Sequence, residues 1–358
     1  MERSLQSYLG KDQAVNKNIT KKETLWLLNV MRGVSALLIV FYHYTTQYDN
    51  SIGHLVKYSV TVPWGCYAVY TFFMLSGFLT VYSCKEETNA VGFMKKRFFR
   101  LYPMFWICMT VTTLYMLVIM PERVPSLKQF LLNLTMMPSL LGVEAVDGVY
   151  WTLAKELFFY LGFAVILQLG FFKKDKTNWL WGWLCLSVFA AGYCYGPYHL
   201  PVRGGVSLLL MPEYIYVFLA GCAVYYFNRE NRVKKKVKML IYMMICIAMC
   251  FWMKSGAIAV FFTVSLCILI VCAQDSVNIK TLPMKRAFAP VLFVSEISYL
   301  LYLTHQFIGF GIIRMMENHG MVAEAWILVP FFHAIFLATI LHYGIELRLN
   351  HLLGKLSR

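Results

Sequence analysis

LWLLNVMRGVSALLIVFYHY, residues 25–44, is a run of twenty residues whose one formal charge is Arg32 and whose one histidine is His43. A helix needs about 20 mostly apolar residues to cross the hydrocarbon core of a bilayer. The run reads as a membrane span, and working outward from it the rest of the chain reads the same way. Of 358 residues 59% are hydrophobic and 14% charged, against roughly a quarter charged in a soluble domain. The mean hydropathy is +0.59. Hydropathy places about ten spans, near 25–47, 63–83, 102–120, 149–170, 178–195, 204–227, 239–254, 256–273, 289–314 and 325–348. The expected fold is all-α, a polytopic helical bundle in the lipid bilayer.

The connections alternate in charge. The N-terminal tail, the even-numbered connections and the C-terminal end hold 25 of the 33 Lys and Arg residues, and the other side holds Lys57, Arg123, Lys128, Arg203 and Lys254. Basic loops stay in the cytoplasm during insertion, so both termini are expected there. The net charge of +15 is then mostly topology, and a nucleic-acid partner is not expected. The chain divides into a cytoplasmic tail (1–24), a transmembrane domain (25–349) and a short cytoplasmic tail (350–358). The polar first 24 residues read as having no cleavable signal peptide. The ten cysteines are scattered through apolar runs without a CxxC pair, so no metal site and no disulfide framework is expected. The connection Pro121–Gly148 is the longest on the outer side, and reads as lying on the membrane or over a cavity.

An ionisable group inside a span is costly and by default marks function. The candidates are Arg32, His43, Lys155, Glu156, Glu213, Glu296, His305, His333 and His342. Eleven residues turn a helix through three turns and about 20°, so Arg32 and His43 share a face about 16 Å apart along the axis. A snorkelling arginine and a satisfied histidine explain them singly; together they suggest a polar path. Glu156, counted in from the outer surface, falls near the depth of His43, where a carboxylate orients a general base. The alternative is that Lys155 and Glu156 make structural ion pairs. In FMKKRFFRLYP (93–103), Arg97 and Arg100 are three apart, a spacing that lets two guanidiniums grip a phosphate; an ordinary basic loop on anionic lipid is the plainer reading. Ser76 and Gly77 read as a close helix approach. Ser298, Tyr302 and His305 recur at helical spacing and, with Ser76 and Trp151, are candidates to line a cavity. P-loop, HExxH and GxSxG patterns are absent.

Five stretches, in order, carry a resemblance. Arg32 to His43 is similar to an Arg-x10-His signature. FFMLSGFL (72–79) follows, then RFFRLYP (97–103), YWTLAKELFFYL (150–161) and SYLLYLTHQF (298–307). Together they resemble the membrane acyltransferase-3 family, integral-membrane O-acyltransferases that decorate cell-surface glycans, over nearly the whole chain. The resemblance implies ten spans in the cell (cytoplasmic, inner) membrane and no bound cofactor. It implies an acyl-CoA co-substrate, acetyl-CoA by family habit, and transfer to an outer hydroxyl of a glycan or lipid-linked glycan. It implies His43 as catalytic base and Arg32, Arg97 and Arg100 as donor-binding residues. Lys155 departs from the family, which has a small or apolar residue there. Relatives often carry a fused hydrolase-like domain for which this chain has no length, so glycan-assembly proteins are expected as separate partners. The expected mechanism sets the CoA phosphates on Arg97 and Arg100 with Arg32 above, and His43, oriented by Glu156, deprotonating the acceptor; an acyl-His43 intermediate is the variant. A transporter of a small metabolite and a non-catalytic glycan-assembly subunit are the competing readings.

Overall fold

The computed structural model describes residues 25–84, 88–174, 177–195, 207, 210–274 and 282–356. The tail 1–24 and Lys85, Lys176, Arg203, Lys280 and Arg358 of the charge pattern lie outside the described residues. Among the described residues every regular element is helical and no strand occurs. Helix α1 (Trp26–Tyr42) runs into a π-helical turn, His43–Gln47. Then come α2 (Ala68–Ser83), α3 (Ala90–Ile119), the short α4 (Leu127–Asn133), α5 (Trp151–Gln168), α6 (Asn178–Tyr195) and α7 (Ile215–Arg229). Helices α8 (Val233–Met253), α9 (Gly256–Cys272), α10 (Ala289–Asn318), α11 (Leu328–Leu341) and α12 (Leu347–Leu356) complete the chain, with a second π-turn at His342–Glu346.

Among the described residues seven helical segments are long and apolar enough to cross a membrane: Trp26–Ser51, Pro63–Ser83, Ala90–Ile119, Gly148–Gln168, Val233–Met253, Ala289–Asn318 and Glu324–Leu353. The chain is a multi-pass helical membrane protein. The other three expected spans coincide with α6, α7 and α9. Helix α9 is apolar but has 17 residues, and α7 has only 15, with Ile215 to Val224 all buried. At 1.5 Å per residue α7 is about 22 Å long, short of a hydrocarbon core of roughly 30 Å.

Two crossings organise the bundle, and both rest on glycine. A Cβ on Gly77 would overlap the Phe218 carbonyl, and one on Gly221 the Met74 carbonyl. Helices α2 and α7 therefore touch backbone to backbone, as small residues allow in membrane bundles. Gly33 does the same for α1, against Val291 of α10. These contacts hold α1, α2 and α10 together with α5 and α3 around one polar interior.

The connection Pro121–Asp147 folds into the bundle. Tyr102 donates to the Thr135 carbonyl and Trp106 to the Leu134 carbonyl, each at 2.9 Å, pinning it to α3. Asn133, fully buried, donates to the Glu144 carbonyl at 2.9 Å and accepts from the Val146 amide at 3.0 Å. The loop then reaches the middle of α10. Asp147, also fully buried, accepts the amides of Val149 and Phe307, each at 3.2 Å. Helix α5 consequently begins beside the centre of α10.

Candidate active site

His43 and His305 form a pair. His305 sits in mid-α10 and is completely buried. Its Nδ1 lies 3.1 Å from the Leu301 carbonyl and 3.0 Å from that of Tyr302. Carbonyls only accept, so Nδ1 carries the proton and the neutral ring offers a lone pair at Nε2. That atom is 3.0 Å from His43 Nδ1. His43 Nδ1 is also 2.9 Å from the Ile39 carbonyl. Both neighbours accept, so His43 Nδ1 is the donor to both, and the lone pair of His43 falls on Nε2. The partner that orients His43 is thus His305, four places after Leu301 in the SYLLYLTHQF stretch.

The π-turn that begins at His43 widens the helix by one residue, a deviation common at functional sites. Tyr44 points back to α10 and donates to the His305 carbonyl at 2.9 Å. The Tyr44 carbonyl accepts from His54 Nε2 at 3.0 Å, and His54 Nδ1 meets Glu317 at 2.8 Å. Tyr48 donates to the other oxygen of Glu317 at 3.1 Å. This clamp ties the turn to the end of α10. Tyr58 stacks on His54, centroids 4.0 Å apart; burial first, then Glu317 and Glu324, push its hydroxyl up to about 12. Sequence reasoning missed His54 and Glu317 because each looks like an ordinary residue beside a span.

Below the pair lies a cavity of about 200 Å³. Its walls include Arg32 of α1, Ser76 of α2, Arg100 of α3, Thr152 and Glu156 of α5, and Ser298 and Tyr302 of α10. Tyr302 connects cavity and pair: its ring is 5.8 Å from that of His305, and its hydroxyl meets Thr152 Oγ1 at 2.7 Å and the Val149 carbonyl at 3.0 Å. At the other end Glu296 and Glu346 join the lining, and His342 meets Glu346 at 2.6 Å.

Several expected placements change. Glu156 does not reach His43. It accepts from Ser76 at 2.8 Å and from Tyr160. Thr152 is level with Tyr302, so Glu156 lies one turn below and His305 one turn above, roughly 10 Å apart along the axes. The count from the outer surface failed because the loop before α5 dips to mid-bundle. Arg97 and Arg100 do not form one clamp either. Three residues leave two side chains about 60° apart on a helix. Arg100 turns into the cavity, whereas Arg97 is buried, donating to Ser83 at 3.2 Å and packed over the rings of Tyr160 (4.6 Å) and Phe93 (5.1 Å). Arg97 touches the cavity only through Tyr160 and Glu156. Ser76, Ser298 and Tyr302 line the cavity, while His305 stands behind Tyr302. Trp151 is 39% exposed and packs on Phe73 and Tyr214 instead.

Known proteins place the chain in a family. Acyltransferase MdmB of Streptomyces mycarofaciens is 24% identical over 47% of this chain and 44% of its own length. Nodulation protein 10 of Rhizobium leguminosarum bv. viciae is 23% identical over 72% of each chain. The chain thus spans less than half of the first of these relatives. No solved structure matches it. The family description that matches is that of an acyltransferase domain, over residues 26–343. That stretch contains the histidine pair, the re-entrant loop and every wall of the cavity except Glu346, and the chain belongs to the acyltransferase-3 family.

Proposed function

We propose that the protein moves a short acyl group, acetyl by family habit, from cytoplasmic acyl-CoA to a hydroxyl of a cell-surface or lipid-linked glycan. The observation that carries the reading is the His43–His305 pair. It leaves His43 Nε2 as an unprotonated base; the pair adjoins, through Tyr302, a cavity lined by Arg32 and Arg100. Both termini face the cytoplasm in this reading, and the bilayer is the cell membrane.

The acyl-CoA enters from the basic side, with Arg100 and Arg32 pairing with its phosphates and pantetheine carbonyls. The acceptor hydroxyl gives its proton to His43 Nε2 as its oxygen attacks the thioester carbonyl. The imidazolium that forms keeps Nδ1–H on two acceptors, the Ile39 carbonyl and His305 Nε2, which favour the charge. The carbon–sulfur bond breaks, the thiolate takes up the proton from His43, and CoA leaves. In the covalent variant His43 Nε2 attacks the thioester first and the acyl-imidazole then passes the group to the acceptor.

Membranes bearing the wild type or His43→Ala are given acetyl-labelled acetyl-CoA and the native envelope glycan. Label is expected in glycan with the wild type alone. Undiminished labelling by His43→Ala, at equal protein in the membrane, would remove His43 from the reaction. Label trapped on the wild-type protein before acceptor is added would select the covalent variant.

A further inference from the structure

Helix α5 carries two neighbouring rows of side chains. Thr152 and Glu156, four apart, face the cavity. Trp151 and Lys155, also four apart, form the adjacent row about 100° round the helix. That second row looks onto a cluster the mechanism does not use. Lys155 Nζ lies 5.9 Å from the centroid of the Tyr214 ring, and Lys254 Nζ lies 4.7 Å from the same ring. Glu213 is the cluster's carboxylate. Its two oxygens are already taken, one by Lys254 at 2.6 Å and the other by the Tyr195 hydroxyl. The short ion pair of Glu213 is with Lys254; Glu213 attracts Lys155 from beyond ion-pair distance, and among the described residues this cluster counts two lysines against one carboxylate.

The aromatic side chains complete the geometry. Trp151 is 39% exposed as a residue, and its ring is 5.3 Å from that of Tyr214. Phe73 lies 6.3 Å from Trp151 and 5.7 Å from Tyr214, and it is also a wall of the cavity. One ring thus separates the cationic cluster from the cavity. The turn that presents Glu213 and Tyr214 begins at Met211, a buried residue held at φ +46°. That left-handed backbone is unfavourable for a side-chain-bearing residue and persists only where its surroundings impose it.

We propose that Lys155, beside the Trp151–Tyr214 platform, forms an acceptor subsite that takes an acidic group, carboxylate or phosphate, of the glycan. A partly exposed tryptophan suits a sugar ring, and an ammonium that shares its one nearby carboxylate with a second lysine suits a further anion. The inference rests on the acyl-transfer reading and narrows it to acidic acceptors. The closest competing occupant of the same chemistry is an anionic lipid headgroup.

The test uses the full chain in phosphatidylcholine nanodiscs, acetyl-labelled acetyl-CoA, and native envelope glycans split by anion exchange into acidic and neutral fractions. Label is expected in the acidic fraction. Lys155→Gln should raise KM for that fraction tenfold or more with kcat within twofold, and Lys155→Arg should stay within threefold of wild type. On the wild type alone, added salt should raise KM for the acidic fraction, which keeps the test open if Lys155→Gln misfolds. Label confined to the neutral fraction, or Lys155→Gln matching wild type on the acidic one, overturns the proposal. If the wild type labels neither fraction, the acyl-transfer reading has failed and binding decides the subsite alone. Retention of the acidic fraction on immobilised nanodiscs, lost in Lys155→Gln, supports it; retention indifferent to Lys155, or none, overturns it. Lys155-dependent capture of phosphatidylglycerol, with glycan binding unchanged, assigns the cluster to lipid instead.

Discussion

At the scale of single residues, the proposed function divides the site into a proton-handling part and a donor-handling part. Under it His43 and His305 would handle the proton, and Arg32, Arg100 and Glu156 would face the donor. The division predicts different kinetic signatures. His305→Gln should lower kcat by 10²–10⁴, the range general-base orientation commands, with KM for acyl-CoA little changed. Glu156→Gln should act mainly on KM for acyl-CoA, because its carboxylate shares the cavity with Arg32 and Arg100 and is far from His43. Steady-state kinetics with acyl-CoA varied check both; a kcat loss confined to Glu156→Gln would reverse the assignment. Spacing alone made Arg32, His43 and Glu156 legible in the sequence as intramembrane ionisable groups. The partnership was not legible, because His43 and His305 are 262 residues apart and a lone mid-helix histidine carries no mark of its neighbour.

At the scale of elements, the site depends on where helices cross and where one loop ends. The α2–α7 crossing leaves no room for a methyl group on Gly77. Gly77→Ala should cost about 1–3 kcal/mol, the usual range for overpacking, read as a lower unfolding temperature in detergent. It should also loosen Ser76 from Glu156, since the two glycine-bearing helices would have to separate. Asp147 ends the re-entrant loop. Asp147→Ala strands the buried Val149 amide, at about 1–3 kcal/mol for a group left unsatisfied, and removes the tie to the Phe307 amide of α10, freeing the start of α5. Acyl transfer should fall more than global stability does, because Thr152 and Glu156 both hang from that helix start. An Asp147→Ala variant that unfolds earlier yet keeps full kcat/KM would show that the loop is only a brace. The close approach at Gly77 was readable as a small residue in a span; the inward fold of the loop was not, since its polar anchors are buried by α3 and α10 rather than by anything local.

At the scale of the whole molecule, the count of membrane crossings decides which side the termini face. Seven crossings would put them on opposite sides, and ten would put them on the same side. The alternation of Lys and Arg favours the even number, which would require α6 and the shorter α7 and α9 to be additional passes. Reporter fusions at residues 1 and 358 should both report the cytoplasm; opposite reports would leave the seven long segments as the only spans. With the N-terminus in the cytoplasm either count puts Lys254 at the outer end of α8, the side from which the proposed acceptor would arrive.

What the sequence by itself determined is the solvent and the family. Apolar runs of bilayer length and the one-sided basic loops are local properties, set residue by residue through transfer free energy, and five ordered motifs identify the family without a fold. What only the tertiary structure decided is who meets whom. His305 rather than Glu156 orients His43, Arg97 packs into a wall while Arg100 opens into the cavity, and Lys155 and Lys254 come to share one ring and one nearby carboxylate. Each follows from the depth at which α5 starts and the rotation of each helix about its own axis. Those are set by packing across the bundle, so neither can be read from a span taken alone.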